Sequence, residues 1–294
     1  MRVWRLLWAS YVAAVRIIRV TRVNRLPLGR GRTVGEAVDS VVRRFTGRRL
    51  YGHSVRVHGQ MIEVGNSDTI EMLLGDYEPG TTRVFLGLLR PGMTVVDVGA
   101  NIGYYTLLAA GAVGQAGMVF AFEPSSSNFA LLQRNVAMNG CQNVILVNKA
   151  LGARSGVAEL HLGASQQHSL FRDSVRHSGS ERVEVTSLDD FMGGLGWPVV
   201  DVIKIDVEGA EPAVIDGMRM ALERCHTRHL IVEFCPFNLR IARTEPDALL
   251  KTLESLGFRI LVIDEARGVQ SSQFDDLLRR LRWRYDHVNL FCER

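Results

Sequence analysis

From Thr94 onward, short and mostly apolar runs alternate with longer stretches of helical period. The strand-like runs are TVVDV from Thr94, MVFAFE from Met118, NVILVN from Asn143, VDVIKID from Val200 and HLIVEF from His229. Between them lie helix-like runs over Tyr104–Ala112, Asn128–Met138, Pro212–Leu222 and Pro246–Leu256. Ser125, Ser126 and Ser127 offer N-caps, Pro212 suits a first helical turn, and Thr244 offers a cap to the last helix. Apolar strands alternating with helices predict a parallel sheet covered on both faces. VAELHL and RVEVTS, with a polar loop between them, predict added strands in the interval Gly156–Ser187. RILVID and HVNLFCE, separated by a helical DDLLRRL, predict a closing strand pair.

Ahead of Thr94 the pattern is less regular. HSVRVHGQMIEV alternates around Gly59-Gln60 and predicts a hairpin. Helices are predicted near Val34–Phe45, Thr69–Leu74 and Thr81–Leu89, and Leu26–Gly35 reads as a linker. Three parts follow: a basic extension over residues 1–50, helical or partly disordered; a cap of hairpin and helices over 51–92; and the main domain over 93–294. Within residues 1–25, six arginines accompany Trp4 and Trp8, a pattern that fits a helix lying on a membrane surface or one packed on the domain. The uncharged run Leu6–Val15 is too short to span a bilayer, and no small-residue cleavage site follows it.

Composition changes this picture little. With 294 residues, 47% hydrophobic and 22% charged, the chain has the make-up of an ordinary globular protein. A net charge of +4 without a basic stripe of interleaved aromatics gives no reason to expect a nucleic-acid partner. Cys141, Cys225, Cys235 and Cys292 form no CxxC pair and no zinc spacing. A reduced, cytoplasmic setting is expected, with membrane association through residues 1–25 as its variant.

The chemistry gathers at the strand ends. Asp97 closes the first strand, and the turn Gly99-Ala100-Asn101-Ile102-Gly103 leads into a helix. Ligands of open parallel sheets sit beyond such carboxyl ends, and glycine lets the backbone pass close to them. Glu123 ends the next strand, where an acid accepts hydrogen bonds from ribose hydroxyls. Neither GxGxxG nor GxxxxGK[ST] is present, so a pyrophosphate has no evident cradle. An acid ahead of the loop disfavours a polyanion and suits a ligand with a positive end, such as the sulfonium of S-adenosylmethionine. The competing reading is a purely structural glycine turn over a buried aspartate.

DVGANIGYYT, FAFEPSSSNFALLQRNVAMNG, TSLDDF and IKIDVEGAEPAVIDG together resemble the FkbM family of S-adenosylmethionine-dependent methyltransferases, over roughly Tyr77 to Pro236. The resemblance implies an α/β class I methyltransferase (Rossmann-like) fold: a doubly wound, mostly parallel sheet with a C-terminal antiparallel strand pair, here preceded by a helical and hairpin extension. It implies O-methylation of a glycan, glycolipid or polyketide-type metabolite. On that basis Asp97, Gly99, Ala100, Asn101 and Gly103 match the cofactor loop and Glu123 the ribose-binding acid. Pro124, Ser125 and Asn148 to Ala150 would lie by the adenine, Glu78 falls on the cofactor side, and Asp206 would stand next to the methyl group as a further cofactor-binding residue.

Methyl transfer to an alcohol calls for an aligned oxygen and a place for its proton. Asp206, Glu208 and Glu233 follow or end the fourth and fifth strands, and three readings of them stand open. Asp206 or Glu208 acts as a base or binds the acceptor. Alternatively, Asp206 and Glu233 hold a divalent cation such as Mg²⁺, a reading not favoured because the full metal signature of catechol-type methyltransferases is not evident; no metal ligand is assigned. In the third reading the acids cap the following helix or pair with Lys204 or arginines. His168, in QQHSLF, is a further candidate base. N-methylation of a small molecule or nucleic acid is the rival activity, although DVEG stands where amino-directed nucleic-acid enzymes carry [DN]PP[YF]. A non-catalytic ligand-binding module is the rival outside enzymes.

Overall fold

The computed structural model describes residues 54–63, 77–163, 168–171, 177–271, 273–281 and 286–294. The basic extension at 1–50 with its membrane-facing reading, the linker at 26–35 and the helix expected near 69–74 lie outside the described residues. No helix among the described residues is long and apolar enough to cross a membrane.

Strands β1 (Ser54–Val57) and β2 (Gln60–Glu63) form the predicted hairpin. Its turn residues His58 and Gly59 have φ of 46° and 87°, the two positive angles that a tight hairpin turn requires. Helix α1 (Pro79–Leu88) follows, then β3 (Thr94–Val98), α2 (Tyr104–Val113), β4 (Met118–Phe122), α3 (Ser126–Met138) and β5 (Val144–Val147). Strands β6 (Ala150–Leu151), β7 (Gly156–Gly163), β8 (His168–Ser169) and β9 (His177–Thr186) make a separate small sheet in the order β6-β9-β7-β8. The added strands of the sequence are therefore a second sheet, not extensions of the first.

After α4 (Leu188–Gly194) come β10 (Val202–Ile205), α5 (Glu211–Asp216), α6 (Arg219–Arg224) and β11 (His229–Phe234). The chain ends with α7 (Pro236–Ile241), α8 (Pro246–Ser255), β12 (Arg259–Asp264), β13 (Gly268–Gln270), α9 (Phe274–Arg280) and β14 (Val288–Glu293). The main sheet has eight strands in the order β13-β12-β14-β11-β10-β3-β4-β5. β5, β4, β3, β10 and β11 run parallel, and β14 is antiparallel to both of its neighbours. This is the expected doubly wound, mostly parallel sheet with its closing antiparallel pair. The strand order reverses between β3 and β10, which places a crevice at their carboxyl ends.

Apolar side chains fill both faces. Val96, Val98, Phe120, Phe122, Ile203, Ile205 and Val232 pack on one face, and Val95, Val119, Ala121, Val202 and Ile231 on the other. Helix α2 buries every residue except Gly111 and Ala112, as a helix apolar on all sides must. The hairpin is fastened to α3 by side-chain amides. Met61 N–H donates to Asn139 Oδ1 at 2.7 Å, Asn139 Nδ2 donates back to Met61 O at 2.7 Å, and Glu63 N–H donates to Asn135 Oδ1 at 2.8 Å.

Two local expectations are corrected. The single helix read over Pro212–Leu222 is broken into α5 and α6, with Gly217 and Met218 between them. A Cβ at Gly217 would overlap the carbonyl of Gly152, so only glycine lets the chain pass this close to the segment after β6 at the break. Thr244 does not cap α8; Glu245 holds the N-cap position, with no side-chain cap hydrogen bond, and Pro246 supplies the preset first turn.

Candidate active site

The crevice is a cavity of about 290 Å³, at the lower end of the range for small-molecule pockets. The turns after β3, β4 and β10 form its walls, and the small sheet covers it through His168, Ser169 and Leu170. Ser169 Oγ donates to the Glu208 carbonyl at 2.8 Å, which ties that cover to the turn after β10.

The glycine turn is built by backbone necessity. Gly99 and Ala100 both donate to the Phe122 carbonyl, at 3.0 and 2.9 Å, so the turn bends over the end of β4. Gly99 has φ +80°, and a Cβ there would overlap the Asp206 carbonyl. Glycine therefore lets the turns after β3 and β10 meet. Gly103 has φ +97° and lies against Leu132, where it opens α2. Asn101 takes a left-handed φ of 52°, and its buried Oδ1 has no hydrogen-bond partner among the described residues.

Glu123 is 4% exposed and receives two backbone donors: Asn101 N–H on Oε2 at 2.8 Å and Ser125 N–H on Oε1 at 2.9 Å. Burial nevertheless pushes its carboxyl up to about 7, and the two amides only partly offset this. Asp97 is 1% exposed and accepts from Thr106 Oγ1 at 2.6 Å; burial raises its pKa, against the pull of Lys204 and Thr106.

Lys204 is the only buried lysine or arginine among the described residues. It is the register partner of Asp97 across β3 and β10, and it donates to Asp206 Oδ2 at 2.7 Å. Its ammonium also lies 4.5 Å from the centre of the Tyr105 ring. Burial alone would push its pKa down, but the charges of Asp206, Glu78 and Asp97 together raise it, so it stays protonated. Glu78, at φ 42°, accepts from Tyr105 OH at 2.6 Å and from Asn289 Nδ2 at 3.1 Å, and burial raises its pKa.

Three further acids meet beyond Lys204. One carboxylate oxygen from each of Asp206, Glu208 and Glu233 lies within 4.8 Å of the others. Asn238 Nδ2 holds Glu208 Oε2 at 2.7 Å. Glu233 is 7% exposed, and its buried Oε2 has no hydrogen-bond partner among the described residues. Burial first, then the neighbouring charge of Asp206, pushes Glu208 up to about 8 and raises Glu233 well above the carboxylate range. Glu211 faces inward instead and accepts from Val207 and Gly209 N–H at 3.3 and 3.1 Å, so it shapes the turn.

Of the residues singled out in the sequence, Glu78, Asp97, Gly99, Ala100, Asn101, Glu123, Pro124, Ala150, Asp206, Glu208 and Glu233 line this one cavity, and so does His168. Gly103, Ser125 and Asn148 do not. Ser125 is spent as the N-cap of α3. Asn148 is exposed and donates to the carbonyls of Glu123 and Pro124 at 2.8 and 3.1 Å, so it braces the cavity wall from outside. The acid readings divide in the same way. Asp206 does pair with Lys204, whereas no ion pair of Glu208 or Glu233 with a lysine or arginine is present among the described residues. Tyr77, Tyr104, Tyr105, Lys204 and Ser169 line the cavity without having been expected there. Lys204 had a legible signal, since a lone cation inside the apolar run VIKI has to find an anion.

A family model described as the methyltransferase FkbM domain matches residues 97–260. The chain is 27% identical over 192 residues to methyltransferase 1 of Beauveria bassiana, covering 57% of this chain and 73% of that one. It is 27% identical over 217 residues to the 2-O-methyltransferase NoeI of Sinorhizobium fredii, covering 68% and 85%. To the 31-O-demethyl-FK506 methyltransferase FkbM of Streptomyces tacrolimicus it is 29% identical over 163 residues, covering 45% and 62%.

Proposed function

We propose, on the premise that the chain belongs to the FkbM methyltransferase family, that it transfers the methyl group of S-adenosylmethionine to a hydroxyl of a glycan, glycolipid or polyketide-type acceptor. The observation that carries this reading is the polarity of the cavity. One end holds the nucleoside-type partners Glu123 and Asn101, and the other holds the carboxylates Asp206, Glu208 and Glu233. Two relatives name an oxygen as the methylated atom, which supports an oxygen acceptor here.

The residues fit the donor. The orphaned Asn101 Oδ1 is an acceptor waiting for a ligand donor, and the Glu123 carboxylate keeps lone pairs beyond its two amide contacts. When bound, S-adenosylmethionine supplies an electrophilic methyl group on a positively charged sulfur, and that sulfur leaves as a neutral thioether.

The chain's own part is alignment and proton transfer. Asp97, Glu78 and the paired Asp206 give the middle of the cavity a negative field that favours a cationic donor over a polyanion. The acceptor hydroxyl sits among Asp206, Glu208 and Glu233, and a carboxylate of this group takes its proton as the new C–O bond forms. Ser169, Asn238 and Lys204 hold that group in place, beside the small sheet that lines the cavity.

The test is transfer of a ¹³C-labelled methyl from S-adenosylmethionine into an extract of the native organism, followed by isolation of the product and carbon–proton NMR. A methyl resonance in the O-methyl range is expected. A product labelled on nitrogen would overturn the oxygen-directed reading, and no transfer from any fraction would overturn the enzyme reading.

A further inference from the structure

We propose that Asp206, Glu208 and Glu233 bind a hard divalent cation, Mg²⁺ or Mn²⁺, at the acceptor end of the cavity, an inference that rests on the methyltransfer reading for its purpose but not for its test. The oxygen donors are of the kind such ions select. Oxygens bound to one ion at roughly 2.1 Å stand about 3.0 Å apart when adjacent and about 4.2 Å apart when opposite, so a cluster within 4.8 Å closes on an ion by side-chain movement without rebuilding the turns.

A separate observation points to a missing ligand. Glu233 is 7% exposed, and its Oε2 faces no hydrogen-bond donor among the described residues. A buried carboxylate oxygen is costly to leave without a partner. Asp206 Oδ2 accepts from Lys204 and Glu208 Oε2 accepts from Asn238, both at 2.7 Å. Neither bond uses the second oxygen of its carboxylate. Donors that orient a ligand through its second atom are the usual outer layer of a metal site.

Charge agrees with geometry. Lys204 is shared among Asp206, Glu78 and Asp97, so it leaves negative charge on the trio that a divalent ion would offset. Three protein oxygens leave about three positions of a six-coordinate ion open. An acceptor with two adjacent oxygens, such as a vicinal diol, would fill two of them. The sequence placed only Asp206 and Glu233 on a cation and did not favour it, because the full metal signature of catechol-type methyltransferases is not evident; the turn after β10 brings Glu208 in as the third donor.

The experiment is Mn²⁺ titration of the full-length protein, read by the loss of the free-ion electron paramagnetic resonance signal. It is run with the wild type, Glu233→Gln and Asn238→Ala, each checked for folding by circular dichroism. Saturable binding of a single Mn²⁺ is expected in the wild type. Asn238→Ala should weaken it by roughly 10–100-fold, the usual cost of an outer-layer partner, and Glu233→Gln should weaken it further. Wild-type protein that binds S-adenosylmethionine but retains no Mn²⁺ at millimolar ion overturns the cation site and leaves the donor reading intact. Equal Mn²⁺ affinity in folded Glu233→Gln places the ion elsewhere and also overturns it. Saturable Mn²⁺ binding, lost in Glu233→Gln, in a protein that ignores S-adenosylmethionine supports the cation site while the donor reading fails.

Discussion

Glu208→Gln is expected to lower the methyl-transfer rate by about a hundred- to ten-thousand-fold, the range for loss of a positioned acid–base group. The substitution keeps the shape of the side chain and its reach to Asn238, so the turn after β10 is retained. It removes the ionisable carboxyl, pushed up to about 8, that faces Asp206 and Glu233. Whether that carboxyl takes the acceptor's proton directly or ionises to hold a cation that binds the acceptor, the rate falls. Affinity for S-adenosylmethionine should stay within a few-fold, because the Glu123 and Asn101 end of the cavity is untouched. Steady-state kinetics with the acceptor identified by the labelling experiment decide the matter, and a variant with an unchanged rate removes Glu208 from the chemistry.

Lys204→Met is expected to cost about 3–5 kcal/mol of folding stability, because breaking a buried ion pair strands its partner charges. The lysine is 2% exposed, and its partner Asp206 has a side chain 20% exposed, so cavity water tempers the loss towards the lower figure. The pH dependence has a definite sign. Burial raises the pKa of Asp97 and Glu78 even with the lysine present, and its removal raises them further. The variant must then either keep protons on these acids or ionise them without a countercharge. The deficit is largest at pH 8, where the unfolded chain's acids are fully ionised, and shrinks as pH falls towards their ordinary range. Urea unfolding at pH 5.5 and pH 8 reads this directly. Lys251→Met, which removes an exposed pair with Asp247, serves as the comparison and should change stability by less than about 1 kcal/mol. Equal costs at the two positions would contradict the buried network.

Much of the sheet was legible because its physics is local. TVVDV predicts a strand over Thr94–Val98, and β3 spans those residues. Apolar runs buried on both faces carry their own signature, as do the helices capped by serine or proline. What was not legible depends on contacts far apart in the sequence. The need for glycine at the break, Gly217, comes from the Gly152 carbonyl, which only the folded chain brings there. Asn148 and Ala150 belong to one short segment, yet the path of the chain turns Ala150 into the cavity and Asn148 out to solvent. The cofactor acids could be placed because strand ends converge in any parallel sheet. That Glu208 joins Asp206 and Glu233 depends on its left-handed φ of 51°, which is a property of the turn and not of the residue pattern.

The central claim is that the cavity under the Gly99 turn binds S-adenosylmethionine. Isothermal titration calorimetry of the full-length protein with S-adenosylmethionine, run beside Asp97→Ala, tests it most directly. Saturable binding by the wild type, with affinity lost in a folded Asp97→Ala variant, is the predicted result. No heat at millimolar ligand in the wild type, or equal affinity in the variant, would contradict it.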